Sequence, residues 1–259
     1  MENQLTDYKL LLDTAVLAGQ IMLSSGAEIY RVEDTIHRIL SVSGLKSAEA
    51  YVTATGLIVT LDNPDMDSMT VVKRIRNRDT NLNRIAKTNE ISRRFCAGEM
   101  SLKEAFSGLK HMEMHTYALW QKNIAIVVVA AAFSILLGGT VADGIAAGVT
   151  GVLLAAVLLL CGKLQLNAFM ENMLCALMIG VTALLLQAVC YPPLDVDMVI
   201  VGGIMPIVPG AALTTAVRDT LQGDYVAGGA KILEALLKAA AIVIGAGAAT
   251  LLMRGVGIC

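Results

Sequence analysis

The chain has 259 residues, a hydrophobic fraction of 56% and a formal net charge of −2. That apolar content exceeds the about 45–50% usual for soluble domains, and the near-neutral charge argues against a nucleic-acid partner. The five cysteines form no C-x-x-C pair and no Walker-type phosphate loop follows a strand, so neither a metal nor a cofactor is expected.

Composition breaks near Trp120: most of the charge precedes it, and an apolar, glycine-rich stretch follows. The fold class expected is an α+β domain over residues 1–118, helices flanking a small sheet, followed by an all-α membrane domain over 119–259. The start, Met1 to Gly19, carries acidic residues and lacks the basic n-region and cleavage site of a signal peptide, so the first domain is expected on the cytosolic side.

In chain order, Leu10, Leu11, Thr14, Leu17, Ala18, Ile21 and Met22 follow helical spacing, with Gly26 where that helix can end. Ile29, Val32, Ile36, Ile39 and Leu40 repeat the pattern, and Ser43-Gly44 closes it. Tyr51–Thr55 and Leu57–Leu61 are rich in β-branched residues, with Gly56 as a turn or bulge. Asp62-Asn63-Pro64-Asp65 reads as a turn before a third strand at Met69–Val72. The basic run Lys73, Arg74, Arg76 and Arg78 reads as a solvated or membrane-facing edge. A helix is predicted from Asn81 through Phe95, and Ser101-x-x-Glu104 is a capping box for another.

The apolar half divides into spans of about 122–139, 144–161, 168–190, 197–217 and 236–254, each long enough for a hydrocarbon core of roughly 30 Å. An odd number places the termini on opposite sides. Lys110, Lys122, Lys163, Arg218, Lys231 and Lys238 fall on one side, whereas the loops around Asp143 and Tyr191–Asp195 carry no Lys or Arg. The positive-inside rule then puts the first domain in the cytoplasm and the C-terminus outside, with Arg254 dissenting.

Candidate transport residues follow from what a bilayer penalises. Pro206, Pro209 and Gly210 interrupt the fourth span, and irregular backbone at membrane depth is tolerated only beside protein or a water-filled cavity. The alternative is a simple proline kink. Arg218-Asp219, Gly223-Asp224, Lys231 and Glu234 form a polar stretch between the last two spans, either a cytosolic loop or a site where Arg218 meets a substrate carboxylate. Glu171 lies near the start of the third span, and intramembrane carboxylates are functional candidates. Asn167 reads as an interfacial residue or polar contact. Earlier in the chain, Ser25, Glu28, Arg31 and Glu33 cluster; Glu28 and Arg31 can pair across one helical turn, and Ser24 or Ser25 can cap the helix. Spacing places none of His37, His111 or His115 near Ser25, which weakens a hydrolytic reading.

Ser25-Gly26-Ala27-Glu28-Ile29-Tyr30-Arg31-Val32-Glu33, Val52-Thr53-Ala54-Thr55 and Asn83-Arg84-Ile85 resemble the soluble domain of the threonine/serine exporter family. Pro206-Ile207-Val208-Pro209-Gly210 with Arg218-Asp219, Gly223-Asp224, Gly228-Gly229 and Glu234-Ala235 resembles that family's last two spans. The resemblance covers essentially the whole chain. Full-length members carry a second membrane unit, so this chain is similar to the split form, such as the larger subunit of a succinate exporter. The resemblance implies a bilayer-embedded subunit in the cell inner membrane that exports a small carboxylate-bearing metabolite: threonine, serine or succinate. It also implies a small separate membrane subunit, or self-association, to complete the pathway. The rival expectation is a membrane-anchored hydrolase or sensor with its activity in the N-terminal domain.

Overall fold

The computed structural model describes residues 2–45, 47–63, 66–112, 117–190 and 194–255. In chain order the elements are α1 (Glu2–Ser24), α2 (Ile29–Ser41), β1 (Ser47–Thr53), β2 (Gly56–Asn63), β3 (Met66–Arg74), α3 (Leu82–Cys96) and α4 (Leu102–Lys110). Then follow α5 (Leu119–Leu136), α6 (Val141–Lys163), α7 (Ala168–Val189), α8 (Val196–Ile204), a 3₁₀ turn (Met205–Ile207), α9 (Gly210–Leu221) and α10 (Tyr225–Gly255). Two compact units result: Met1–His115 with Gly210–Leu233, and Thr116–Pro209 with Glu234–Cys259.

In the first unit, the strands form an antiparallel meander in the order β1-β2-β3. Alternation along β2 buries Leu57, Val59 and Leu61 and leaves Ile58 exposed. The buried row faces α1 and α2, whose Leu12, Met22, Leu23, Val32, Ile36, Ile39 and Leu40 complete the core, each worth about 1.5–3 kcal/mol of transfer free energy. Ala227 of α10 belongs to the same cluster. Residues on α3 are held by a local cap, Asn81 Oδ1 accepting from Arg84 N at 3.1 Å, and α4 by the expected Ser101/Glu104 box.

The hairpin departs from expectation at its edges. Thr53 pairs with Gly56, so β1 ends two residues early and Gly56 opens β2. Asp62 and Asn63 continue β2 rather than turning, because β3 pairs back as far as Asn63 opposite Met66; Pro64 and Asp65 lie outside the described residues.

The second unit is built from apolar helices. Small residues line its interior: Ala146, Ala147, Ala176 and Ala183 are buried, with Leu154, Cys175, Ile179 and Val199 filling the gaps. Such small-residue contacts let helices approach closely where no water drives them together. Val128, Leu136, Val152, Leu160 and Val189 point outward and are exposed, an apolar exterior suited to lipid. Asn167 is the N-cap of α7, accepting from Met170 N at 2.9 Å. Asp143 closes a capping box with Thr140 at the start of α6 and accepts from Asp195 N at 2.8 Å, joining the α5–α6 turn to the start of α8. Tyr191, Pro192 and Pro193 lie outside the described residues.

Among the described residues four helices are long and apolar enough to cross a membrane, or five if α8 and α9 count as one broken span. The break falls where the prolines predicted it: after the 3₁₀ turn, Val208 is extended (φ −65°, ψ 128°) and Gly210 starts a new helix. The last helix begins at Tyr225, well before the expected residue 236, so the polar stretch is mostly helical rather than a loop.

Candidate functional site

Two helix endings shape the site, both Schellman motifs that need a left-handed residue. At the first, Gly26 (φ +82°) ends α1, with Ala27 N donating to Met22 O at 3.1 Å and Gly26 N to Leu23 O at 3.2 Å. At the second, Gly223 (φ +98°) ends α9, with Asp224 N donating to Asp219 O at 3.0 Å and Gly223 N to Thr220 O at 3.1 Å. The remaining carbonyls at the end of α1 are taken up by the chain entering α3: Asp79 N donates to Ser24 O and Asn81 N to Ser25 O, each at 3.0 Å.

The first motif delivers the chain directly into α2, whose N-cap position is Glu28. Glu28 makes no side-chain cap bond, and neither serine caps the helix: Ser24 Oγ donates back to Ile21 O, and Ser25 Oγ is buried without a partner. The cap comes instead from Asp219, 190 residues away, whose Oδ1 accepts from Ile29 N at 3.0 Å. Its other oxygen accepts from Lys231 Nζ at 2.6 Å, and Lys231 also reaches Ala27 O at 3.4 Å. Asp219 is fully buried and Lys231 nearly so. A buried carboxylate is therefore satisfied on both oxygens, by a helix N-terminus and an ammonium.

Glu28 is free to act laterally. Its Oε2 accepts from Arg31 Nη1 at 3.3 Å, the pair expected from spacing, and its Oε1 from Arg218 Nη1 at 2.6 Å. Burial pushes the Glu28 carboxyl up, but its own backbone N–H and the Arg218 and Arg31 guanidiniums outweigh that and hold it below its ordinary value. The Arg218 side chain remains 60% exposed. One guanidinium nitrogen is thus anchored to Glu28 while the rest of the fork faces outward, a geometry that can engage a carboxylate bidentately.

Glu33 links α2 to β1 by accepting from Val52 N at 3.0 Å. Burial pushes its carboxyl up against that bond, and the Asp224 charge adds to the rise. Asp224 is raised in turn, chiefly by burial and then by Asp219, with Lys231 opposing.

The structure therefore gathers Glu28, Arg31, Arg218 and Asp219, four of the residues singled out in the sequence. Glu171 sits in the first turn of α7 in the second unit, where a carboxylate complements the helix N-terminus. Pro206 lies in the 3₁₀ turn, Pro209 just ahead of α9, and Gly210 is its first residue. Sequence reasoning placed Lys231 in the polar stretch with Asp219 but missed it as that carboxylate's partner, because the two lie twelve residues apart on different helices. Neither His37 nor His111 bonds Ser25, and His115 lies outside the described residues.

A charged α+β unit joined to a bundle of helices apolar enough to cross a bilayer defines a membrane protein. Residues 13–253 match the ThrE family, described as "Putative threonine/serine exporter", and the chain belongs to that family. A Mycobacterium tuberculosis protein named "Probable threonine/serine exporter" is 24% identical over 239 residues, covering 91% of this chain. The chain spans 45% of that relative's length. No solved structure matches.

Proposed function

We propose that the chain is a subunit of a secondary exporter for small carboxylate-bearing metabolites, threonine or serine on one hand or a dicarboxylate such as succinate on the other. The observation that carries this is the anchored, outward-facing Arg218 fork, in the last turn of α9 beside the buried Asp219–Lys231 pair. Asp219, or Glu171 in the other unit, is the carboxylate to carry a coupling proton.

The first domain lies in the cytoplasm and the protein in the cell inner membrane. In the second unit, the Asp143–Asp195 contact gathers the α5–α6 turn and the start of α8, neighbourhoods without Lys or Arg, as expected for the outer side. Alternating access uses paired membrane repeats, so a second membrane unit, from a separate small subunit or another copy, completes the pathway. The test is efflux of labelled threonine, serine and succinate from vesicles, with and without that subunit. Arg218→Ala should abolish efflux while leaving the protein in the membrane; efflux at the wild-type rate would sink the assignment.

A further inference from the structure

Between α2 and α3 the first unit holds a solvent-open pocket of about 70 Å³ that the transport reading does not use. Its walls follow from helical spacing: Arg31, Thr35 and Arg38 share one face of α2, and Asn89, Ser92 and Arg93 one face of α3. Three arginines thus line a cavity whose one carboxylate, Asp34, is taken by Arg38 Nε at 2.9 Å. That bond leaves both Nη groups of Arg38 for a ligand. Arg93 makes no ion pair among the described residues. Thr35 and Ser92 are buried, and Thr35 Oγ1 donates to Arg31 O at 2.8 Å and lies 3.4 Å from Asn89 Oδ1, which leaves the Asn89 amide nitrogen as the donor it can offer.

We propose that this pocket binds a phosphate group, either free inorganic phosphate or the head of a small phosphorylated metabolite. With Arg31 paired to Glu28 and Arg38 to Asp34, Arg93 leaves one positive charge in excess, which draws an anion. Guanidiniums arriving from two helices match a tetrahedral oxyanion, which offers more acceptor oxygens than a planar carboxylate. A volume of about 70 Å³ holds one such group, and the opening to solvent lets an ester substituent project outward. Arg31 also holds Glu28 at 3.3 Å, so a phosphate in the pocket competes with Glu28 for the same guanidinium.

The proposal stands on this pocket alone and is tested by binding, so failure of the transport reading leaves it intact. The full chain, purified in detergent, is titrated calorimetrically with inorganic phosphate and with glycerol phosphate at constant ionic strength, with chloride as the control anion. Saturable phosphate binding is expected, weakened about tenfold by the exposed change Arg93→Gln and abolished by Asn89→Asp, which adds a negative charge. Tighter binding of glycerol phosphate than of inorganic phosphate assigns the metabolite source, and the reverse assigns the free ion. Phosphate that binds no better than chloride, or binds both variants like the wild type, overturns the proposal.

Discussion

The buried Asp219–Lys231 pair supports a sharp energetic test. Asp219→Ala removes the acceptor of the Ile29 N–H and strands Lys231, which is nearly buried. Leaving one member of a buried pair uncompensated costs about 3–5 kcal/mol, and losing a helix cap about 1 kcal/mol more. Asp219→Asn separates the two, because the amide oxygen still accepts from Ile29 N while the charge is gone; it should cost about 1 kcal/mol less than the alanine change. Lys231→Met strands the carboxylate and should cost as much as Asp219→Asn. The double variant leaves no buried charge, and replacing a whole pair by neutral groups is often close to neutral. The two single changes should therefore be strongly non-additive, by at least the roughly 3 kcal/mol that marks the upper end for residues in contact. Hydrogen exchange of a peptide covering residues 27–35 reads the opening of the first turn of α2 in each variant of the full chain. Additive losses, or unchanged protection in that peptide after Asp219→Ala, would refute the coupling.

Two carboxyls should give opposite pH signatures. Glu28 is depressed from its ordinary value of 4.5, so its stabilisation is present above that pH and is lost as the pH falls through the folded value; Glu28→Gln should lower the thermal midpoint at pH 7, by an amount that shrinks as the pH falls below 4.5. Glu33 is raised above the same 4.5, so its ionisation opposes folding as the pH climbs through the folded value. Glu33→Gln keeps an acceptor for Val52 N–H and should raise the midpoint at pH 7, with the difference vanishing at pH 3. Gly26→Ala forces a side chain into the left-handed region at φ +82° and should destabilise the fold by about 1–2 kcal/mol in a denaturant titration.

Features set by a few neighbouring residues were legible. Asn81 and the Ser101/Glu104 box start α3 and α4 as expected, because a cap is a contact between a side chain and backbone three residues on. The broken segment was legible at Pro206 and Pro209, since proline removes a backbone donor wherever it stands. Strand limits were not. The ends of β1 and β2 are fixed by cross-strand partners, such as Thr53 opposite Gly56, rather than by the propensity of the residues there. The start of α10 was misplaced for a related reason. Gly228, Gly229, Lys231 and Glu234 look like a loop when read alone, yet the Schellman ending of α9 hands the chain into a helix at once, and Lys231 is neutralised by a carboxylate one helix earlier.

The site shows where local reading stops. Glu28 and Arg31 declared themselves as a pair because the helix repeat brings them together, and Arg218 stood out as a charge flanked by apolar spans. Nothing within a few residues of Ile29 says that its N–H is capped from position 219. There was an indirect sign: α2 begins at a glutamate, a poorer cap than Ser, Asp or Asn, and the two serines before it precede a left-handed glycine that turns the chain away from α2. A helix with a strong apolar face but no local cap demands an acceptor for its first N–H groups from elsewhere. Asp219 satisfies that demand, and the cost of burying its charge is offset by Lys231. The same carboxylate that fixes the start of α2 stands beside Arg218 on α9, so whatever changes its charge acts on both the helix that carries Glu28 and the residue that Glu28 holds.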